Sequence, residues 1–236
     1  MGCRSSGMII PFKGSLEEIV GLINNWTEKD FKKTIKLEFI KGSLVIIHNH
    51  NFFLSAYQYK DLWSERLKKS SLNDWVIFFE CVDHYNAASY LIFKNNIEVR
   101  RITESENQAF YQSGEPQDFE KEWLNASIGY EHEYQEGNEW KEEIITDPRF
   151  SLEDIDEWKN YHKFYYIGSI DNFTNQLARQ LLSDLSNKYL GFDLINDAYD
   201  IENKITLACG YGEISENQSI SNTQKKSFFQ KILFWK

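Results

Sequence analysis

The order of the apolar patterns along the chain constrains its fold more than any other feature. Alternating or continuous apolar runs predict strands that follow one another in groups, at 34–40, 44–47, 75–82, 89–93 and 97–102. Apolar residues recur clearly at helical spacing in only two segments, 16–26 and 173–190. Because strands and helices do not alternate strictly, the sequence predicts an α+β fold in which a mainly antiparallel sheet packs against these two helices.

Short local signals predict where several elements begin and turn. Ser15 and Glu18 have the spacing of a capping box at the start of the first helix, and Gly191 is the predicted stop of the second. Residues 151–158 are predicted as a short capped helix, and the strands at 34–40 and 44–47 as a hairpin. Asn95-Asn96 is a two-residue turn signal between two strands, because Asn tolerates a positive φ.

We predict a single domain over residues 1–212, with the best candidate for an internal joint at 114–117. A polar, flexible linker at 213–224 and a tail at 225–236 would follow it.

The negative charge of the chain is concentrated in one stretch. Residues 115–160 hold 15 Asp and Glu against 4 Lys and Arg, whereas the whole chain has a formal net charge of −10. Such a surface excludes a general nucleic-acid binder and favours a basic protein partner. Within this stretch, alternation predicts a hairpin of 128–134 and 140–145 that turns its aromatic side inward. Its outward acids are the predicted partner-binding residues, Glu131, Glu133, Glu136 and Glu139.

The last twelve residues reverse the sign of the charge and combine it with aromatic residues. The tail could form a short amphipathic helix, and its candidate contact residues are Lys225, Lys226, Phe228, Phe229 and Trp235. Three alternatives stay open for this tail. It could dock on its own domain or form a homo-oligomer contact, lie on a membrane surface, or bind a foreign protein.

Two histidines near the end of the second predicted strand are the best metal candidates. On a strand, His48 and His50 would project to the same face and could anchor zinc or iron, with Asp83, His84 or His132 as the third ligand. The alternative is a strand end with exposed polar side chains. No hydrolase, metalloprotease, dinucleotide or phosphate-loop motif is present, so the sequence predicts no catalytic residue and no cofactor.

The remaining composition bears on localisation. The three cysteines lack the spacing of a disulfide framework or a zinc knuckle, and Cys81 and Cys209 lie in apolar runs. Buried thiols fit a reducing cytoplasm. No run of 18 apolar residues is present. Gly2 and Cys3 match a short eukaryotic lipidation pattern that also occurs by chance.

Two passages carry a resemblance to a known group of domains. They are Tyr90–Arg101, followed by Gly114-Glu115-Pro116, and the helical segment from Leu177 to Leu194. Together they resemble a group of uncharacterised bacterial domains of the immunity or defence-associated type. The resemblance implies a small acidic α+β protein that binds, and can block, a basic toxin. It implies no catalytic residue.

We therefore interpret the chain as a cytoplasmic, non-enzymatic binding protein with an immunity-like or regulatory role and an acidic working surface. One alternative is a metal-dependent enzyme that uses His48 and His50. The other is a peripheral membrane protein that uses its tail.

Overall fold

A computed structural model describes most of the chain. The described residues are 4–27, 35–40, 44–72, 74–82, 86–105, 108–147, 161–195, 203–210 and 213–216. The chain divides into two compact units. The first unit comprises Arg4–Glu80, Tyr90–Val99 and Ala198–Lys236, and the second comprises Met1–Cys3, Cys81–Ser89 and Arg100–Asp197.

The predicted α+β class with a mainly antiparallel sheet is confirmed. The described helices are α1 (Leu16–Trp26), α2 (His50–Gln58), α3 (Lys60–Lys69), α4 (Lys121–Leu124) and α5 (Leu177–Leu190). One sheet has the strand order β13-β12-β2-β3-β1-β4-β5-β6-β7. Its strands are β1 (Arg4–Pro11), β2 (Ile35–Ile40), β3 (Leu44–His48), β4 (Trp75–Val82), β5 (Ala87–Lys94), β6 (Ile97–Ser105), β7 (Gln108–Gly114), β12 (Asn203–Gly210) and β13 (Glu213–Glu216).

A second sheet of four strands has the order β11-β10-β8-β9. Its strands are β8 (Ser127–Glu136), β9 (Glu139–Ile145), β10 (His162–Ile167) and β11 (Ser169–Thr174). Every described pairing in this sheet is antiparallel. None of the helices in the described ranges has the length and apolarity needed to cross a membrane.

The core of the first unit forms where α1, α2 and α3 cover one face of the sheet. Ser15 caps α1, and the capping box with Glu18 is confirmed. One apolar side of α1 then enters a core of aliphatic and aromatic residues. At its centre the indole of Trp63 meets the rings of Phe52 and Phe78, with centroids 5.7 and 4.8 Å apart. Burial of these large side chains is the main favourable term in folding this unit.

Both hairpins predicted for the large sheet are confirmed in outline. β2 pairs with β3 through the register Phe39↔Val45. Asn95 and Asn96 turn β5 into β6 with φ of 50° and 66°. The strand predicted at 75–82 is β4, and Cys81 on it is a buried free thiol. Local patterns were sufficient here because a hairpin register depends on neighbouring residues.

A buried ion pair organises the second unit. Arg100 Nε lies 2.8 Å from Glu120 Oε2, and both side chains are almost completely buried. The rest of the guanidinium donates to the carbonyl of Gly114 and to Gln112 Oε1, at 2.9 and 2.8 Å. Glu120 also accepts from the backbone N–H of Gln117 at 2.8 Å. These bonds hold the end of β7 against the 3-10 turn Asp118–Glu120, which leads into α4.

The long helix α5 differs from its prediction at the N-terminus. The helix starts at Leu177, and Phe173 lies on β11, because Thr174 and Gln176 close a turn between the two elements. Glu104 accepts a hydrogen bond of 2.7 Å from the first-turn N–H of Ala178. Burial raises the pKa of the Glu104 carboxyl. The predicted glycine stop is confirmed, since Gly191 caps α5 with φ of 78°.

Some boundaries need correction or lie outside the described residues. Residues 213–216, predicted as linker, pair with β12 as the edge strand β13, so the pairing with β12 makes them a strand in spite of a polar sequence. The range 114–117 lies within the second unit, not between units. The strands β1, β7, β10 and β11 were not predicted. Gly2, Cys3, a helix predicted at 151–158 and the tail fall outside the described residues.

We predict that Arg100→Met lowers the free energy of unfolding by about 3–5 kcal/mol, because it leaves the Glu120 carboxylate buried without its cation. The double variant Arg100→Met/Glu120→Leu should be more stable than the single variant, since no charge then remains buried. Urea denaturation measures both. Lys94→Met, at an exposed position, is the control. A loss below about 1 kcal/mol for Arg100→Met would contradict this role.

Candidate functional site

The predicted hairpin in the acidic stretch is confirmed as β8 and β9. The register runs from Tyr130↔Ile145 to Glu136↔Glu139. Gly137 turns the chain with φ of 67°, a left-handed conformation that glycine adopts without steric cost. β9 is at the edge of the four-stranded sheet.

The root of the hairpin is tightly packed. Gly129 on β8 lies opposite Phe164 on β10, and a Cβ added to Gly129 would overlap the Phe164 ring. The ring is buried and meets Phe173 of β11 edge-on at 5.6 Å. Only glycine lets the Phe164 ring lie across the strand at this point, so the packing places β8 firmly on β10.

Beyond the root, the described residues of the hairpin form a two-stranded ribbon. The last described pair between β8 and β10 is Glu131↔His162, whereas β8 and β9 stay paired up to the turn. We call residues 132–143 the arm. Residues 133–136 and 139–142 are all exposed, so the arm presents both of its faces to solvent. The arm contains five Glu and one Lys.

Strand alternation gives the arm two faces of different chemistry. The tyrosine face carries His132, Tyr134 and Glu136 on β8, opposite Glu143, Lys141 and Glu139 on β9. The tryptophan face carries Glu133 and Gln135 opposite Glu142 and Trp140. The expectation of an inward aromatic side is wrong for the arm. Tyr134 is exposed, because no other layer of the described structure buries the ribbon beyond its root.

The four predicted partner-binding acids are divided between the two faces. Glu131 and Glu133 lie on the side of the tryptophan face, and Glu136 and Glu139 lie on the tyrosine face. Alternate residues of a strand share a face. Glu136 is two residues from Tyr134 and lies on its face, whereas Glu133 is adjacent to Tyr134 and lies on the other. The structure therefore places these acids on one ribbon but not on one surface, and their role in binding stays a prediction.

Like charges face each other across the arm. Glu133 is directly opposite Glu142, and Glu136 is directly opposite Glu139. Directly opposed like charges destabilise a strand pair. Lys141 forms an ion pair with Glu136 and so offsets part of the repulsion on the tyrosine face. The register places no Lys or Arg on the tryptophan face of the arm.

Trp140 is the most exposed large apolar side chain in the described structure. It lies on the edge strand with 73% of its surface accessible, two residues from Glu142 on the same face. Ile144, 43% exposed, continues this row along β9. Trp140 was not among the predicted site residues. Its position three residues after the turn, between charged neighbours, was the available signal.

On the tyrosine face, three aromatic rings form a column. The His132 ring is stacked on Tyr134 with centroids 5.6 Å apart and an angle of 11°, and it meets Tyr161 at 4.9 Å. The Tyr161 hydroxyl donates a 2.7 Å hydrogen bond to Glu143 Oε2. This bond, with burial and the negative charge of Glu143, raises the pKa of Tyr161 to about 12. The bond therefore fixes the inner end of the column.

The strand geometry proposed for a metal at His48 and His50 is wrong. β3 ends at His48, and His50 is the first residue of α2, because Asn49 caps the helix between them. His48 Nε2 lies 2.7 Å from the buried Glu38 Oε2, and His50 Nδ1 lies 2.8 Å from Glu80 Oε1. Each imidazole thus faces its own carboxylate.

His48 also has a hydroxyl neighbour. Ser5 Oγ lies 3.5 Å from His48 Nδ1, at the outer limit for a hydrogen bond. This carboxylate–imidazole–hydroxyl row satisfies the buried Glu38, and we assign it that structural role. Asp83 and His84 lie outside the described residues, and His132 belongs to the ring column. Within the described ranges, no group of three or more His, Cys, Asp or Glu side chains could hold a metal.

The tail residues Lys225, Lys226, Phe228, Phe229 and Trp235 lie outside the described residues. Comparisons of the chain with models of protein families, with curated proteins and with solved structures found no match. The resemblance to immunity-type domains therefore stays a prediction.

We predict that Tyr161 deprotonates near pH 12, because its proton is held by Glu143. The difference in tyrosinate absorbance between wild type and Tyr161→Phe isolates this group. Glu143→Gln should lower the transition toward about 10, the ordinary value for tyrosine. Circular dichroism at each pH checks that the fold persists. A transition near 10 in the wild type would contradict the hydrogen bond.

We also predict that Glu133→Gln raises the midpoint of thermal unfolding by about 1 °C at low ionic strength, because it relieves the repulsion from Glu142. Glu115→Gln makes the same charge change at an exposed position outside the arm and is the matched control. The difference between the two variants should vanish in about 1 M salt. Equal midpoints at low salt would show that the opposed pair carries no strain.

Proposed function

We propose that this protein works by binding a basic protein partner through the arm, without catalysis of its own. The observation that carries the proposal is the exposure of Trp140 on an edge strand among opposed carboxylates. The arm combines a large apolar contact with a local excess of negative charge.

A surface that served only solubility would not need this arrangement. Charged side chains do protect an edge strand from pairing with other chains, and Glu139, Lys141, Glu142 and Glu143 can do that. A tryptophan that is 73% exposed works against such protection. The opposed glutamates also carry more repulsion than solubility requires.

Binding of a basic partner would remove both costs. A cation between Glu133 and Glu142 turns their mutual repulsion into two attractions, and burial of Trp140 supplies the kind of aromatic anchor that dominates protein interfaces. Because both faces of the arm are exposed, a cleft in the partner suits it better than a flat surface. An arm that occupies a basic cleft would block it. An immunity-like or regulatory role is the specific form of the proposal.

The test is a selection of random twelve-residue displayed peptides on the immobilised protein at low ionic strength. We expect the recovered peptides to be enriched in Lys and Arg. Their affinity should fall at least tenfold, or about 1.4 kcal/mol, in Glu133→Lys/Glu142→Lys. Trp140→Ala should cost about tenfold as well. Isothermal titration calorimetry measures the affinities.

Two matched controls separate the arm from general charge and general apolarity. Glu115→Lys/Glu122→Lys makes the same change of net charge at exposed positions of the acidic stretch outside the arm. Ile97→Ala truncates another large side chain that is 65% exposed. Both should change affinity by less than about threefold. Equal losses in control and arm variants, or recovered peptides without excess basic residues, would refute the proposal.

A further inference from the structure

The outer end of the ring column lies at an exposed position on the tyrosine face of the arm. One face of the Tyr134 ring lies against His132, and Tyr134 as a whole residue is 37% exposed. The column is held from the inner side, where His132 meets Tyr161 and Tyr161 bonds to Glu143. Along the tyrosine face, Tyr134 lies between His132 and the position of Glu136 near the turn, so a planar group on the side away from His132 would continue the stack.

Two carboxylates are placed on that side of Tyr134. Glu136 is the next residue of β8 on the tyrosine face, and Glu139 is directly opposite it on β9. Lys141, which lies across from Tyr134, forms its ion pair with Glu136. One ammonium balances only one of the two carboxylate charges, so this end of the arm keeps an excess negative charge beside an aromatic face.

A guanidinium group matches this combination better than any other side-chain cation. It is planar, so it can stack on a tyrosine ring, and its N–H groups lie in the same plane and can reach carboxylates at its edge. A lysine ammonium is compact and strongly hydrated. It can approach either carboxylate, but it gains little from a stacked ring column.

We propose that the tyrosine face is an arginine-recognition site, in which a guanidinium of the partner stacks on Tyr134 and bonds to Glu136 and Glu139. This inference rests on the proposed function and specifies the partner further: the basic residue that binds to this face is an arginine. Tyr134 supplies the selectivity for arginine over lysine, and the two glutamates supply the charge that attracts either cation.

The experiment compares two fluorescein-labelled nine-residue peptides that are identical except for three arginines in one and three lysines in the other. Fluorescence anisotropy at about 50 mM salt measures their binding to the full chain. We expect the wild type to prefer the arginine peptide by about fivefold. Tyr134→Leu should reduce this ratio to below about twofold, whereas Tyr134→Phe, which keeps the ring, should preserve it.

Variants of the two faces separate this inference from the proposed function. Trp140→Ala, on the opposite face, should weaken both peptides and leave their ratio unchanged. Glu136→Gln/Glu139→Gln should weaken both peptides. Equal binding of the two peptides that still depends on Glu133, Glu142 and Trp140 would overturn the arginine site but leave the proposed function. An arginine preference that survives Tyr134→Leu would also overturn the site. Binding that ignores every arm variant would overturn both.

Discussion

The buried pair of Arg100 and Glu120 is the interaction on which the geometry of the second unit depends. One guanidinium joins the end of β7 to the turn before α4, because its N–H groups bond to a carboxylate, an amide oxygen and backbone carbonyls in one plane. Burial of two charges supplies little net stability. We infer that the pair contributes to the specificity of the fold, because an arrangement in which Arg100 and Glu120 did not meet would bury an uncompensated charge. The pair thus determines where the chain leaves the large sheet and begins its approach to β8.

The arm has the opposite arrangement of charges. Where Arg100 and Glu120 satisfy each other, the glutamates of the arm oppose each other, and Trp140 is left in water. Solvent exposure makes this arrangement tolerable, because water and salt weaken each repulsion. The second unit therefore contains two opposite arrangements of charge, one in its interior and one at the edge of its sheet. The buried charges of Arg100 and Glu120 are paired, whereas the exposed arm keeps Glu133 opposite Glu142 and Glu136 opposite Glu139.

Sequence patterns predicted the elements whose signals are local. Ser15 and Glu18, the Asn95-Asn96 turn and the hairpin in the acidic stretch all depend on residues near one another in the chain. β7, β10 and β11 were missed because they are short, polar or half-exposed, and their partners determine them more than their own composition. The exposure of the arm could not be predicted, since it depends on which part of β8 pairs with a strand that is distant in the sequence. The placement of Glu133 and Glu136 on opposite faces could have been predicted from the sequence, because they are an odd number of residues apart on one strand.

The contact between Gly129 and Phe164 has a consequence for how this protein can evolve. A side chain at position 129 would require the buried Phe164 ring to move, so substitutions at the root of the hairpin disturb the packing. A few residues further along the same strand, side chains touch solvent on both faces, and many substitutions there would leave the sheet intact. Variation can therefore accumulate at the tip while the scaffold stays constant. The chemistry of this surface can therefore change through a few substitutions at exposed positions, each of which leaves the packed root of the hairpin in place.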